Sequence, residues 1–130
     1  MKKLLLFTMM FICGMTAAMA QKAKEPAQIK FDKVSHDFGK FSEKDPVVTC
    51  VFTFTNVGDE PLVINQAVAS CGCTVPNYTK EPVQPGRKGE IKVTYNGTGK
   101  SLGHFKKTIT VRSNGAIEIT RLNIEGDMTE

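Results

Sequence analysis

Between Val47 and Asn56 the chain alternates, with Val48, Cys50, Phe52 and Phe54 on one side and Thr49, Val51, Thr53 and Thr55 on the other. Successive side chains of an extended strand point to opposite faces, so a two-residue period marks a strand with one face in a core. A helix would scatter the same apolar residues around its circumference. The run is rich in β-branched and aromatic residues, and Gly58-Asp59-Glu60-Pro61 turns the chain soon after it.

The same period recurs along the chain. Ile29-Lys30-Phe31 is a first short strand, and Ser35 to Phe38 a second that Gly39 is expected to halt. Leu62 to Ala69 is another strand, and it runs up to the double cysteine of Cys71-Gly72-Cys73. Residues 74–88 contain Pro76, Pro82 and Pro85-Gly86, which predicts a loop with at most one short edge strand. Ile91, Val93 and Tyr95 alternate in the next strand, and Asn96-Gly97-Thr98-Gly99 turns the chain. Phe105, Ile109 and Val111 share one face of another strand. In the last one Ile117 and Ile119 are odd but Leu122 and Ile124 even, which predicts a β-bulge near Thr120 and Arg121. About seven strands without a helical period predict an all-β, immunoglobulin-like sandwich. The absence of tryptophan excludes the antibody-type core.

The ends read differently. Lys2 and Lys3, the apolar run Leu4 to Ile12 and the small residues of Ala18-Met19-Ala20 make residues 1–20 a signal peptide cut between Ala20 and Gln21. The apolar run is far shorter than the roughly 20 residues of a membrane-spanning helix, so no stable membrane anchor is expected. Lipidation at Cys13 would need a small residue before it, and Ile12 stands there. The expected organisation is a leader at 1–20, a flexible lead-in at 21–28, one sandwich domain at 29–127 and a tail at 128–130. Removing the 20 leader residues from 130 leaves 110, enough for one domain with one core. The leader takes two of the 17 basic residues, so 15 remain against 13 acidic ones, and the net charge is +2. So small a spread-out excess gives no electrostatic case for a nucleic-acid partner.

The run Phe52-Thr53-Phe54-Thr55-Asn56-Val57-Gly58-Asp59-Glu60-Pro61-Leu62 resembles the F-x-F-x-N-x-G-x-x-P-L segment of small bacterial sandwich domains related to pilus chaperones and hydin-type domains. Ser70-Cys71-Gly72-Cys73-Thr74, followed by Pro85-Gly86, Gly103-His104-Phe105-Lys106-Lys107 and Ser113-Asn114, is similar to a narrower group, the exported Gram-negative proteins of domain of unknown function 1573. That resemblance covers about residues 29–127. It implies the fold, export and the double cysteine; it implies no activity, and Cys50 lies outside its pattern.

The double cysteine is read first as structural, its bend shaping one end of the sandwich, with redox and metal chemistry as the other readings. Three cysteines lie beyond the leader, Cys50, Cys71 and Cys73, and an odd number leaves at least one thiol unpaired. In a straight strand residues i and i+2 are about 6.6 Å apart at Cα, close to the limit of about 6.8 Å for a disulfide. A Cys71–Cys73 bond therefore needs a bend, which Gly72 permits. Closing a three-residue loop stabilises by roughly 1.5 kcal/mol, against about 3.4 kcal/mol for the loop from Cys50 to Cys73. A short bond thus points to redox chemistry and a long one to scaffolding. Cys50 shares the face of Phe52 and Phe54 and reads as a buried small hydrophobe.

Metal is the remaining option. Thiolates suit copper(I) or zinc, and Cys71 and Cys73 are the candidate ligands. A closed zinc site needs four ligands, and Cys50, His36, His104 and Met128 are not spaced to complete one. His36 and His104 read as surface histidines. No nucleophile–base pair, phosphate loop or carboxylate pair stands out. The expectation is an exported, periplasmic or secreted, non-enzymatic binding or assembly module whose edge strands pair with a protein partner. The alternative is a redox-active dithiol or copper(I)-handling protein acting through Cys71 and Cys73.

Overall fold

The computed structural model describes residues 24–130. The leader, its cleavage point at Ala20 and Gln21, and Cys13 lie outside the described residues. Eight strands follow in order: β1 (Ile29–Phe31), β2 (Ser35–Ser42), β3 (Val47–Asn56), β4 (Ile64–Ala69), β5 (Thr74–Tyr78), β6 (Lys88–Asn96), β7 (Gly103–Ser113) and β8 (Ile119–Thr129). They form two four-stranded sheets, β1-β3-β6-β5 and β2-β8-β7-β4. Every pairing is antiparallel except that of β2 with β8. No helix among the described residues is long and apolar enough to cross a membrane.

The alternation seen in the sequence becomes the core between the sheets. Phe52 and Phe54 of β3, Ile91 and Val93 of β6, Ile109 and Val111 of β7 and Leu122 and Ile124 of β8 are all buried there. Each apolar side chain of this size contributes about 1.5–3 kcal/mol when withdrawn from water. At one end of the sandwich Tyr95 stacks on Phe105 with centroids 3.9 Å apart, and Phe41 meets both rings edge-on.

Asn56 anchors the opposite end. Parity turns it inward behind Phe54, and it is fully buried. Its Nδ2 donates to the carbonyls of Glu60 (2.7 Å) and Val83 (2.9 Å). Its Oδ1 accepts from the N–H of Gly58 (2.9 Å) and Gln28 (3.2 Å). One side chain thus ties together backbone groups of three segments, and of these the Val83 carbonyl also accepts from Leu62 N–H (2.9 Å). The next motif residue, Gly58, passes so close to the chain before β1 that a Cβ would collide with the Pro26 carbonyl and Ala27 Cα.

Several expectations are corrected. Gly39 does not halt β2: at φ 72° it carries the strand through a register shift between Asp37 and Lys40 and on to Ser42. No bulge occurs near Thr120 and Arg121. The β7–β8 register runs unbroken from Arg112↔Ile119 to Gly103↔Met128, and Ile117 is an exposed residue of the preceding turn. Leu62 and Val63 precede β4, with Leu62 buried in an isolated bridge to Val83. β8 extends to Thr129 and buries Met128, so the domain takes in residues expected in a tail. The lead-in is tied down from Glu25: Asp59 N–H donates to the Glu25 carbonyl (3.2 Å), Ala27 is buried, and its carbonyl accepts from Ala116 N–H (2.8 Å).

Candidate functional site

β4 and β5 belong to different sheets, and Ser70 to Cys73 carry the chain from one to the other. Ser70 N–H donates to the Thr108 carbonyl (2.9 Å), and Thr108 N–H returns a bond to Ser70 Oγ (3.2 Å), so the turn leaves β7 firmly held. Thr74 N–H reaches back to the Cys71 carbonyl (3.3 Å), and Asn96 N–H donates to the Cys73 carbonyl (2.8 Å). This bend brings the Cys71 and Cys73 Cα atoms to 5.4 Å, well inside the straight-strand spacing, and the two sulfurs are bonded to each other. Gly72 supplies neither a positive φ nor relief of crowding, since a Cβ there would meet nothing within 4 Å. The surrounding hydrogen bonds, rather than glycine's freedom, shape the bend.

Cys50 is a buried free thiol on the inner face of β3, as parity predicts. Burial pushes its thiol up to about 11, against a smaller opposing pull from Lys33. It is chemically quiet, because the thiolate is the reactive form. The other possible ligands are dispersed. His36 stands beside Phe38 (centroids 4.8 Å) with Nδ1 2.8 Å from Lys33 Nζ, and burial followed by the Lys33 charge lowers its pKa against Asp37. His104 lies on the outer face of β7 between Glu125 and Asp127, each 3.2 Å away. Met128 is buried under β8. Only Cys71 and Cys73 come together, and among the described residues no three His, Cys, Asp or Glu side chains gather as a metal-binding group. The donor set does not fit a closed zinc site, and a copper(I) site would need the disulfide opened first.

Backbone groups left open along the sheet edges were invisible in the residue pattern. In an antiparallel ladder, residues alternately face the partner strand and face away. Ser70 faces β7, so Val68 and Gln66 do too, and Ala67 and Ala69 turn their N–H and C=O to the open side of β4. On β5 the bonds Asn96 N–H to Cys73 O and Thr79 N–H to Glu90 O (3.1 Å) set the opposite parity, so Thr74, Pro76 and Tyr78 face outward. Pro76 has no N–H, and that of Thr74 is taken by Cys71, so this edge is blunted. The bulge at Gly39 interrupts the β2 edge. β1 pairs with Phe54 to Asn56 of β3 and Asp32 N–H takes the Thr53 carbonyl (3.0 Å), so among the described residues Thr49 and Val51 face outward unpaired as well. Of the two open stretches, β4 borders a shallow groove on the outer face of its sheet, lined by Gln66, Val68, Ser70, Thr108, Thr110 and Arg112. Val68 is 47 % exposed in it.

Three comparisons bear on this architecture. The family model described as protein of unknown function (DUF1573) matches residues 29–128. No curated protein matches the chain. Among solved structures, a protein of unknown function from Porphyromonas gingivalis W83 superposes with a TM-score of 0.68 at 13% identity, over 83% of this chain and 50% of that one. The PapD-like domain 7 of human CEP192 superposes at 0.57 with 11% identity, over 95% and 99% of the two chains. The periplasmic chaperone SfaE superposes at 0.58 with 10% identity, over 78% and 58%. The chain thus spans about half the length of the Porphyromonas protein, and at these identities the likeness is one of fold.

Proposed function

The chain belongs to the family of proteins of unknown function DUF1573, and from that premise we propose that it is a non-enzymatic binding or assembly module that takes up an extended segment of a protein partner along β4. The observation that carries this reading is the backbone of Ala67 and Ala69, which no strand among the described residues pairs, beside the groove around Val68. An added strand gains main-chain hydrogen bonds from the edge and specificity from alternate side chains laid against its outer face. β5, on the same side of the sandwich, has lost the corresponding donors at Thr74 and Pro76. The likeness to the chaperone SfaE lends the reading a fold that recurs in a protein of that description. The setting we assign is the periplasm or the cell exterior, on the strength of the leader at residues 1–20.

The test places a photo-cross-linking amino acid at Gln66 and, in a separate variant, at Thr49 on the open part of β3. The reading expects cross-links from position 66 to one defined extended segment of a partner, lost when Ala67→Pro removes the outward N–H. Cross-links from position 49 alone, or cross-links from 66 that survive Ala67→Pro, would overturn it.

A further inference from the structure

The strand-edge reading leaves the Cys71–Cys73 bond unused, and the two sulfurs sit in unlike surroundings. Cys73 is half-buried and packs against the core, while Cys71, also half-buried, takes no part in it. Gly72 between them is exposed with open space above it. On the far side of Cys71 lies Ser70, at the end of the open groove of β4 and β7. A thiolate attacks a disulfide sulfur and expels the other, so the direction from which each sulfur can be reached decides the outcome. Cys73 has the core packed against it, and Cys71 does not.

From this asymmetry we propose that Cys71 Sγ is a thiol-exchange site, the atom at which the disulfide opens to a low-molecular-weight thiol. The incoming thiolate forms a new S–S bond to Cys71 Sγ, the Cys71–Cys73 bond breaks, and Cys73 Sγ leaves with the electron pair as a thiolate. Cys73 then either returns to Cys71 and expels the small thiol or takes a proton from water. A second molecule of the small thiol completes reduction by attacking the small thiol's own sulfur, giving the symmetrical small disulfide and a free Cys71. The buried Thr74 hydroxyl stands 3.8 Å from Cys73 Sγ and 3.9 Å from Cys71 Sγ, so it offers a hydrogen bond to either thiolate and does not itself choose between them. The turn is held independently by the bonds from Thr74 N–H to Cys71 O and from Asn96 N–H to Cys73 O. Opening the disulfide therefore leaves β4 and β5 in place, and exchange is a reaction of the folded protein.

The probe is glutathione, applied to the whole folded protein, quenched in acid and mapped by peptide mass spectrometry. The expected result is an adduct on Cys71 in about tenfold or greater excess over Cys73, as access governs thiol reactivity. The single variants Cys73→Ser and Cys71→Ser, made in a Cys50→Ala background, give a second reading. Alkylation of Cys71 in the first should be about tenfold faster than that of Cys73 in the second. Equal adducts, an adduct mainly on Cys73, or no adduct on folded protein under conditions that modify the urea-unfolded chain would each overturn the assignment. Because Ala67→Pro leaves both sulfurs in place, loss of partner binding and loss of exchange are read separately.

Discussion

Replacing Asn56 with alanine removes one fully buried side chain and the four hydrogen bonds it makes to backbone. The Glu60 carbonyl and the N–H groups of Gly58 and Gln28 lose this partner together, while the Val83 carbonyl keeps the Leu62 N–H (2.9 Å). Each such bond is worth about 1 kcal/mol net. The bond to Gln28 is the longest at 3.2 Å and lies nearer the surface, so it sits at the low end. The expected loss is about 3–4 kcal/mol, a large part of the roughly 5–15 kcal/mol that keeps a domain folded. For a domain of this size each kcal/mol moves the midpoint by about 4–8 °C, so the variant should melt about 15–30 °C lower. Urea unfolding followed by circular dichroism, with the slope m held in common, measures the loss directly. Asn56→Asp sharpens the test. It keeps the acceptor role toward Gly58 and Gln28 but turns a carboxylate on the two carbonyls in a buried site. Burial raises that carboxyl's folded pKa above its unfolded value near 4, so the variant should be most stable in acid and weaken as pH rises toward 7. A loss under about 1 kcal/mol for Asn56→Ala, or a pH-independent Asn56→Asp, would refute the view that this side chain ties three segments together.

Two further outcomes follow from the cysteines. Cys50 is pushed up to about 11 by burial, so the unfolded thiol ionises first as pH rises. Its contribution to stability is whole below its ordinary pKa and is lost between pH 9 and 11; the difference in unfolding free energy between the wild type and Cys50→Ala, measured from pH 8 to 11, should shift in favour of Cys50→Ala across that window, and a flat difference would contradict it. Reduction of Cys71–Cys73 should cost only about 1.5 kcal/mol, the entropy of a three-residue loop, and lower the melting temperature by about 6–12 °C. Loss of the β-sheet circular dichroism signal on reduction would show that the bond is scaffolding.

Much of the fold was legible because alternation is a local property. Val47–Asn56 is the strand its parity announces, and the same parity buries Cys50, Phe52 and Phe54. Asn56 has inward parity too, a polar residue at a core position, which was the available signal for its anchoring role. Alternation failed where a residue's face depended on something beyond the strand. Ile117 looked like a core residue out of register but lies in a turn. Gly39 looked like a stop, but β8 alongside β2 continues to supply a partner past it.

The candidate site was legible only as two cysteines. Their residue types and spacing defined the possible bonds, and the sequence alone left Cys50 in contention for either partner. Tertiary structure decided the pairing, because Cys50 is enclosed between the sheets while the turn from β4 to β5 folds Cys71 and Cys73 together. It also decided which sulfur faces the core and which edges keep free hydrogen-bonding groups. Side-chain parity depends on neighbours one and two residues away and is therefore written in the sequence. Strand partners, and the groups left without one, depend on residues dozens of positions apart, and only the assembled sandwich brings those together.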